Sequence, residues 1–462
     1  MITKVNFKDE TKDEKSWPQI LALLNAALIG MVSGIVFAWP SPYILRIVAD
    51  KVNYDITEEQ ASYFTTVHVI GLFILPVFLV PVVNIIGRKN SLLLVALPYS
   101  ICFTIKAFAN NLWLLYVARL CGGFGDALLF ASMPAYIGEI STPSVRGVWG
   151  NAFLCVAYIG QLLINILGSL YTVQQTALMV LVLIAFFLLT FIFRVESPYF
   201  LIMKDRSEEA KKSLKILRGK ENVELEFNQI TLDVKRQMAE NGSYLQLINI
   251  KANRRALTAA TFLRISQLLS GIYVFTSYTQ FIFQKAGGNI SAQDSSVIYI
   301  GAILICYVSA SYFSDKLGRR KSYIISIFLS ALIMISEGIY FYIDINVPSI
   351  NMKSVEWLPL AGMLLFVLVS AFGIGLIPTL MLGELFSASV KVKGVCISTM
   401  VFAGSSILVN NIFYYLNRYT GLYGPFFFFA SCNLISTALA YFIVPETKGK
   451  TLEEIQEYLR HK

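Results

Sequence analysis

Only two of the 462 residues are histidine, six are cysteine, and charged residues make up 15% of the chain. Each scarcity excludes something. No histidines and acids cluster at a metal-ligand spacing, so neither a metal nor any other cofactor is expected. Cys102, Cys121, Cys155, Cys306, Cys396 and Cys432 all fall inside apolar stretches, where they read as packing residues and not as a disulfide framework. There is no nucleotide-binding loop and no nucleophile–base pair, so no enzyme is expected. The first sixteen residues are polar and mixed in charge, unlike a cleavable signal.

What is abundant is apolar surface. Hydrophobic residues make up 56% of the chain, and its mean hydropathy is +0.63. That is too apolar for a soluble protein of this length. Twelve apolar runs are each long enough to span a bilayer. They are Pro18–Trp39, Ser62–Ile86, Ser91–Ala109, Trp113–Gly138, Val148–Leu170 and Thr176–Phe193 in the first half. In the second half they are Ala256–Gln284, Ser295–Phe313, Ser322–Ile343, Trp357–Gly383, Val395–Leu416 and Leu422–Val444. Roughly three-quarters of the 38 Lys and Arg fall in the ends and loops that share a side with the N-terminus. Both ends are therefore expected in the cytoplasm, in a multi-pass protein of the plasma membrane. The net charge of +9 is this bias spread over many short segments, so no nucleic-acid partner is expected.

The chain also repeats itself. Gly87-Arg88-Lys89 closes one apolar stretch and Gly318-Arg319-Arg320 another; Glu139…Arg146-Gly147 is answered by Glu384…Lys393-Gly394. A duplicated six-helix unit explains this. The expected fold is an all-α membrane protein of twelve transmembrane helices in two pseudo-symmetric six-helix halves, residues 1–194 and 256–462. They are joined by a cytoplasmic linker, 195–255. Within the linker, Arg206–Arg218 and Glu221–Glu240 read as short amphipathic helices, a solvated connection or a lid packed beneath the bundle. Ser41–Gln60 and Asp344–Glu356 read as the longer outer loops. Asn289-Ile290-Ser291 is a glycosylation sequon in a short outer loop.

Five motifs carry a family resemblance along nearly the whole chain. Arg119-x-x-x-Gly123 with Tyr136-Ile137-Gly138-Glu139 and Arg146-Gly147, then Val195-Glu196-Ser197-Pro198, Gln267-Leu268-Leu269-Ser270-Gly271-Ile272 and Pro445-Glu446-Thr447-Lys448-Gly449 stand in order and on the expected side. Together they resemble the sugar porters of the major facilitator superfamily. Trp39-Pro40-Ser41-Pro42 leans toward the insect facilitated trehalose transporter branch, among relatives that include facilitative glucose transporters. The resemblance implies alternating-access carriage of a small-molecule sugar through the lipid bilayer. The pocket departs from the family: Leu268, Tyr273, Leu154 and Ile303 replace polar positions, and Gly373-Ile374-Gly375-Leu376-Ile377-Pro378-Thr379 lacks the family's tryptophan.

Candidate residues follow. A sugar needs hydroxyl partners and an apolar ring face, for which Gln267, Ser270, Tyr273, Tyr278, Thr379, Gln161 and Asn410 stand out, together with Asn165 and Asn411 and the rings Phe37, Trp39 and Phe402. Glycines and prolines in helices one, four, seven and ten serve close packing or gating. Arg88, Arg119, Glu139, Arg146, Asp315, Arg319, Arg320, Glu384, Lys393 and Glu446 form a candidate cytoplasmic charge latch, or set topology alone. Charges within spans cost about 2.5–3.5 kcal/mol each, so Arg264, Asp126 and Glu337 need a reason. A proton-coupling role for Asp126 or Glu337 with His68 is one. Against it, the first helix has no acid near Val36. Facilitated diffusion is therefore the leading reading; a proton symporter and a non-transporting sugar sensor are the alternatives.

Overall fold

The computed structural model describes residues 16–142, 145, 152–239, 242–287, 290–350, 352–387, 389–448, 450 and 452–461. No strand occurs among them. Six passes make the first half: α1 (Trp17–Ala38, resuming as Pro40–Ala49), α2 (Glu58–Ile74 and Pro76–Ile86), α3 (Arg88–Phe108), α4 (Leu112–Ile140), α5 (Ala152–Leu170) and α6 (Val173–Phe191). Six make the second: α7 (Lys251–Leu269, Ile272–Ser277 and Thr279–Ala286), α8 (Ala292–Leu317), α9 (Arg319–Asn346), α10 (Leu358–Ala371 and Ile377–Leu385), α11 (Lys391–Thr420) and α12 (Tyr423–Ile443). Eight are long and apolar enough as single helices to cross a membrane. The other four include the broken passes α2, α7 and α10.

Local chemistry sets the ends. On the face opposite the chain termini, Thr57 with Gln60 and Thr172 with Gln175 form capping boxes that start α2 and α6. On the terminal face, Gly87 (φ 101°) and Gly318 (φ 91°) turn the chain into α3 and α9, a backbone region costly for any residue with a Cβ. Pro76 and Pro378 open the second segments of α2 and α10, where a proline lacking an N–H is tolerated. Large apolar side chains such as Val182, Leu189, Ile435 and Phe442 face outward, as a lipid-facing surface requires.

The sequence reading is corrected at one loop. Most of Pro40–Ala49 falls in the expected outer loop Ser41–Gln60, yet it is helical: Pro40 sits at its first turn, and Tyr43, Ile44 and Ile47 bury one face. The linker helices lie at Pro198–Met203, Ser207–Arg218, Glu224–Ala239 and Tyr244–Asn249. Ala210, Leu214 and Leu217 are buried as their spacing predicts. Arg218 fastens this segment by donating to the Ile140 carbonyl at the end of α4 (2.9 Å).

Within the first half α1 packs along α5, and α3 along α4; the halves meet along α2 with α11 and α5 with α8. Gly30 and Gly34 of α1 and Gly122, Gly123 and Gly125 of α4 are explained by contact and not by breaks. A Cβ on Gly34 would fall on the Ala157 carbonyl, and one on Gly123 on the His68 carbonyl. Helix α4 runs unbroken past all its glycines.

Candidate functional site

The breaks in α7 and α10 face each other. Gly271 (φ 87°) ends the first segment of α7, and Ser270 closes that turn by donating to the Gln267 carbonyl (2.7 Å). In α10 the turn at residues 372–376 leaves the carbonyls of Ile374 and Gly375 outside a helix. Both accept from Nε2 of Gln267, at 2.9 and 3.2 Å. The same amide's Oε1 accepts from Nη1 of Arg264 (2.9 Å). Gln267 is therefore fully committed to joining two interrupted helices, which satisfies backbone groups that lipid could not.

Above this junction lies a cavity lined from both halves. Phe37, Tyr158 and Gln161 come from α1 and α5; Tyr273, Thr276, Tyr307 and Ser370 come from α7, α8 and α10, with Ile272, Ile303 and Val367 completing it. Tyr273 forms its floor, edge-on to Phe37 (6.0 Å between ring centres) and to Phe402 (5.0 Å). Tyr158 leans on Tyr307 across the halves at 4.8 Å. Gln161 lines this space, and its Oε1 is buried without a hydrogen bond. Such a lining offers ring faces and a few polar tips, which suits a small hydroxylated ring.

The predicted binding residues are thus divided. Gln161 and Tyr273 line the cavity, with Phe37 and Phe402 beside it. Ser270 is buried in the α7 turn, and Asn410 donates to Ser406 (3.4 Å) within α11. Thr379 is exposed and accepts from Arg264 at 3.3 Å. Trp39 is not a ring platform for a ligand: it is fully buried, with the Lys106 ammonium 4.3 Å and the Arg119 guanidinium 5.8 Å from its ring. Tyr158, Thr276 and Tyr307 escaped the sequence reading. Helical spacing could have found two: Tyr158 lies one turn before Gln161, and Tyr307 one turn after Ile303.

Tyr278 belongs elsewhere, in a seal that closes the face opposite the termini. Its hydroxyl meets the Thr65 hydroxyl (3.3 Å) and donates to the Ser62 carbonyl (3.2 Å). Asn411 donates to Thr66 (3.2 Å), Tyr63 meets Tyr415 (3.0 Å), and Ser296 donates to Asn165 (3.4 Å). Every one of these bonds runs between the halves.

On the terminal face the duplicated motif becomes a duplicated structure. Glu196 accepts the amides of Arg88 (3.1 Å) and Lys89 (2.9 Å); Glu446 accepts those of Arg319 (3.0 Å) and Arg320 (3.1 Å). Each acid caps the positive end of a helix. Glu139 accepts from Arg88 (3.0 Å) and from the Ser197 hydroxyl, as Glu384 accepts from Arg319 (3.3 Å) and the Thr447 hydroxyl (2.5 Å). None of these bonds runs between the two six-helix halves, Glu196 and Ser197 belonging to the linker. Lys393 reaches the Gly242 carbonyl of the linker, and Arg320 the Tyr441 carbonyl. Arg146, Asn241 and Asn289 lie outside the described residues, as does the side chain of Asp315.

Arg119 is removed from the latch. It stands roughly 30 Å from Glu139 along α4, donating to the carbonyls of Phe64 (2.8 Å) and Val36 (2.5 Å). The fixed depth of a residue along its helix, not its sign, decides this. Asp126 is walled in nearby, accepting from Ser33 (2.5 Å) and Tyr99 (2.5 Å) and pairing with His68 (2.9 Å). Glu337 is buried against Gly362 of α10, with one carboxyl oxygen unpaired.

Comparison with known proteins agrees with this geometry. Residues 6–459 match the family model described as "Sugar (and other) transporter". A facilitated trehalose transporter (Tret1) of Polypedilum vanderplanki is 30% identical over 450 residues, covering 95% of this chain and 88% of the relative. That of Aedes aegypti is also 30% identical, covering 95% of this chain but 55% of the relative, so the chain spans about half the length of some relatives. Among solved structures, the partially occluded, inward-open xylose transporter XylE from E. coli superposes with a TM-score of 0.78. It is 19% identical and covers 94% of this chain and 100% of that one. The proton:xylose symporter XylE bound to 6-bromo-6-deoxy-D-glucose gives 0.77 at 21% identity, covering 96% and 100%.

Proposed function

Since the chain belongs to the "Sugar (and other) transporter" family, we propose that it carries a hexose or a disaccharide such as trehalose across a membrane by alternating access. The observation that carries this reading is the cavity between the halves, with side chains from both lining it and cross-half bonds closing one face above it. The two six-helix units, 1–194 and 256–462, are the moving bodies, with 195–255 as the connection between them. The basic loops put the terminal face in the cytoplasm of a plasma-membrane protein. The seal then closes the outside, and the cavity exchanges with the cytoplasmic side.

In the opposite state, the terminal face closes and the two charge cassettes meet. Glu139 and Glu384 then trade their in-half partners for cations of the other half, among them Arg146 and Lys393. The driving force is the sugar gradient alone: α1 has no acid near Val36, and Asp126 is already satisfied by three neighbours. Proton symport is the rival, because His68 and the acid Asp126 pair in the interior of the first half. Uptake of labelled glucose and trehalose into proteoliposomes tests the proposal. Saturable uptake, competed by the unlabelled sugar, is expected; uptake no faster than in empty liposomes contradicts it.

A further inference from the structure

Among the described residues, Arg264 is a cation of the membrane interior that pairs with no Asp or Glu and borders the pathway. Arg264 lies roughly 20 Å along α7 from Lys251. Its Nη1 donates to Gln267 and Thr379, and its guanidinium carbon sits 5.4 Å from the centre of the Phe402 ring. All three partners are neutral. Its Nε is buried without a hydrogen bond, and among the described residues no Asp or Glu pairs with it. Arg119, which unlike half-buried Arg264 is fully buried, spends its N–H groups on backbone carbonyls in the wall behind Trp39. Arg264 instead stands beside exposed Thr379 and against the Phe402 ring, which also packs on Tyr273 of the cavity lining.

An ionised side chain at this depth is retained for a reason, and its usual reason is a partner of opposite sign. We infer that Arg264 makes the pathway select a sugar acid, a hexose carrying one carboxylate, over the neutral sugar of the same size. The inference rests on the transport reading above. A guanidinium matches a carboxylate with two parallel N–H donors; Nη1 of Arg264 is taken by Gln267 and Thr379, while its Nε N–H has no partner. One positive charge balances one negative charge. A phosphate ester, with about −1.5 to −2, would leave charge uncompensated. The ring of the sugar then lies against Phe402 and Tyr273, with Gln161 and Thr276 above for its hydroxyls.

Uptake of labelled glucuronate, glucose and trehalose into proteoliposomes is compared for wild type, Arg264→Gln and Arg264→Lys. Wild type is expected to half-saturate with glucuronate at a concentration about ten-fold lower than with either neutral sugar. In Arg264→Gln the ratio of the half-saturating concentrations for glucuronate and glucose is expected to rise about ten-fold whatever the absolute rate, and Arg264→Lys restores part of the preference. Uptake of a neutral sugar by wild type with glucuronate equal or weaker overturns the inference and leaves the transport reading standing. Uptake of none of the three overturns both. The wild-type comparison decides even if the variants do not fold.

Discussion

Glu59 of α2 and Arg418 of α11 pair at 2.5 Å across the two halves, on the face opposite the chain ends. Both are half-exposed, so the pair is weak by itself and is screened by salt. It stands at the rim of a larger seal: Tyr415 reaches both Tyr63 (3.0 Å) and Glu59 (3.4 Å), and below it Thr66 and Asn411 join. Removing Glu59's charge and Tyr63's hydroxyl together, as Glu59→Gln with Tyr63→Phe, is expected to loosen this face. A cysteine at buried Ser62 reports it. Labelling from that side, read by mass spectrometry of the modified peptide, is expected to rise roughly two- to five-fold, the scale of weak exposed pairs. An unchanged rate removes the seal from the account.

At the other face, Glu139→Gln is expected to slow uptake several-fold without lowering the amount of protein in the membrane. The substitution leaves this conformation, in which Glu139 serves Arg88 and Ser197 and no residue of the other half, less affected than the state in which the cassettes meet. A cysteine on the terminal-face vestibule, such as Thr379→Cys, is then labelled faster in the variant. Equal labelling and equal uptake contradict a latch.

The two glutamines separate binding from scaffold. Sequence alone ranks Gln267 first for the sugar, but all of its amide is committed to Arg264, Ile374 and Gly375. Gln161 keeps an acceptor without a partner at the cavity. Losing a buried polar partner costs about 1–3 kcal/mol, roughly a factor of 5–150. Gln161→Ala is expected to raise the half-saturating concentration by that order with little change in melting temperature. Gln267→Ala is expected to lower the melting temperature of the purified protein. A stable Gln267→Ala protein with weakened uptake, beside an unaffected Gln161→Ala, reverses the assignment.

How far the sequence reached depends on what each feature requires. The passes were legible because a bilayer imposes length and hydropathy on each segment, and the duplication because Gly87 and Gly318 need the same left-handed turn in each half. The acids Glu196 and Glu446 were visible as motifs, and their capping role follows from geometry that no spacing displays. Trp39, Arg119 and Tyr278 were misplaced for a different reason. A residue's type does not report which face of a helix it occupies, or which helix of the other half stands opposite. Pro40–Ala49 was hidden because a short amphipathic helix at the membrane edge resembles a loop in hydropathy.

Close packing of α1 on α5 yields a stability prediction. A methyl on Gly34 would fall on the Ala157 carbonyl, and backbone cannot yield as a flexible side chain can. Overpacking of this kind costs about 1–3 kcal/mol or more. Gly34→Ala is expected to lose monodispersity and melting temperature in detergent, whereas Gly301→Ala, where a Cβ meets nothing within 4 Å, leaves both unchanged.

Asp126 separates a structural role from coupling. It holds Ser33, His68 and Tyr99 from three different helices, and breaking a buried charged pair costs about 3–5 kcal/mol. Asp126→Asn is expected to reduce expression and melting temperature, while the protein that remains shows the same insensitivity to a protonophore as wild type. A stable variant whose uptake loses its dependence on pH would assign this pair to proton coupling.

The central claim is passive carriage of sugar, and the level to which sugar accumulates tests it most directly. Proteoliposomes with the membrane potential clamped at zero take up the labelled sugar they transport best, with and without an inward proton gradient. The account predicts the same initial rate in both and a final internal concentration equal to the external one. Accumulation above the external concentration that appears only with the gradient, and collapses when a protonophore is added, contradicts it.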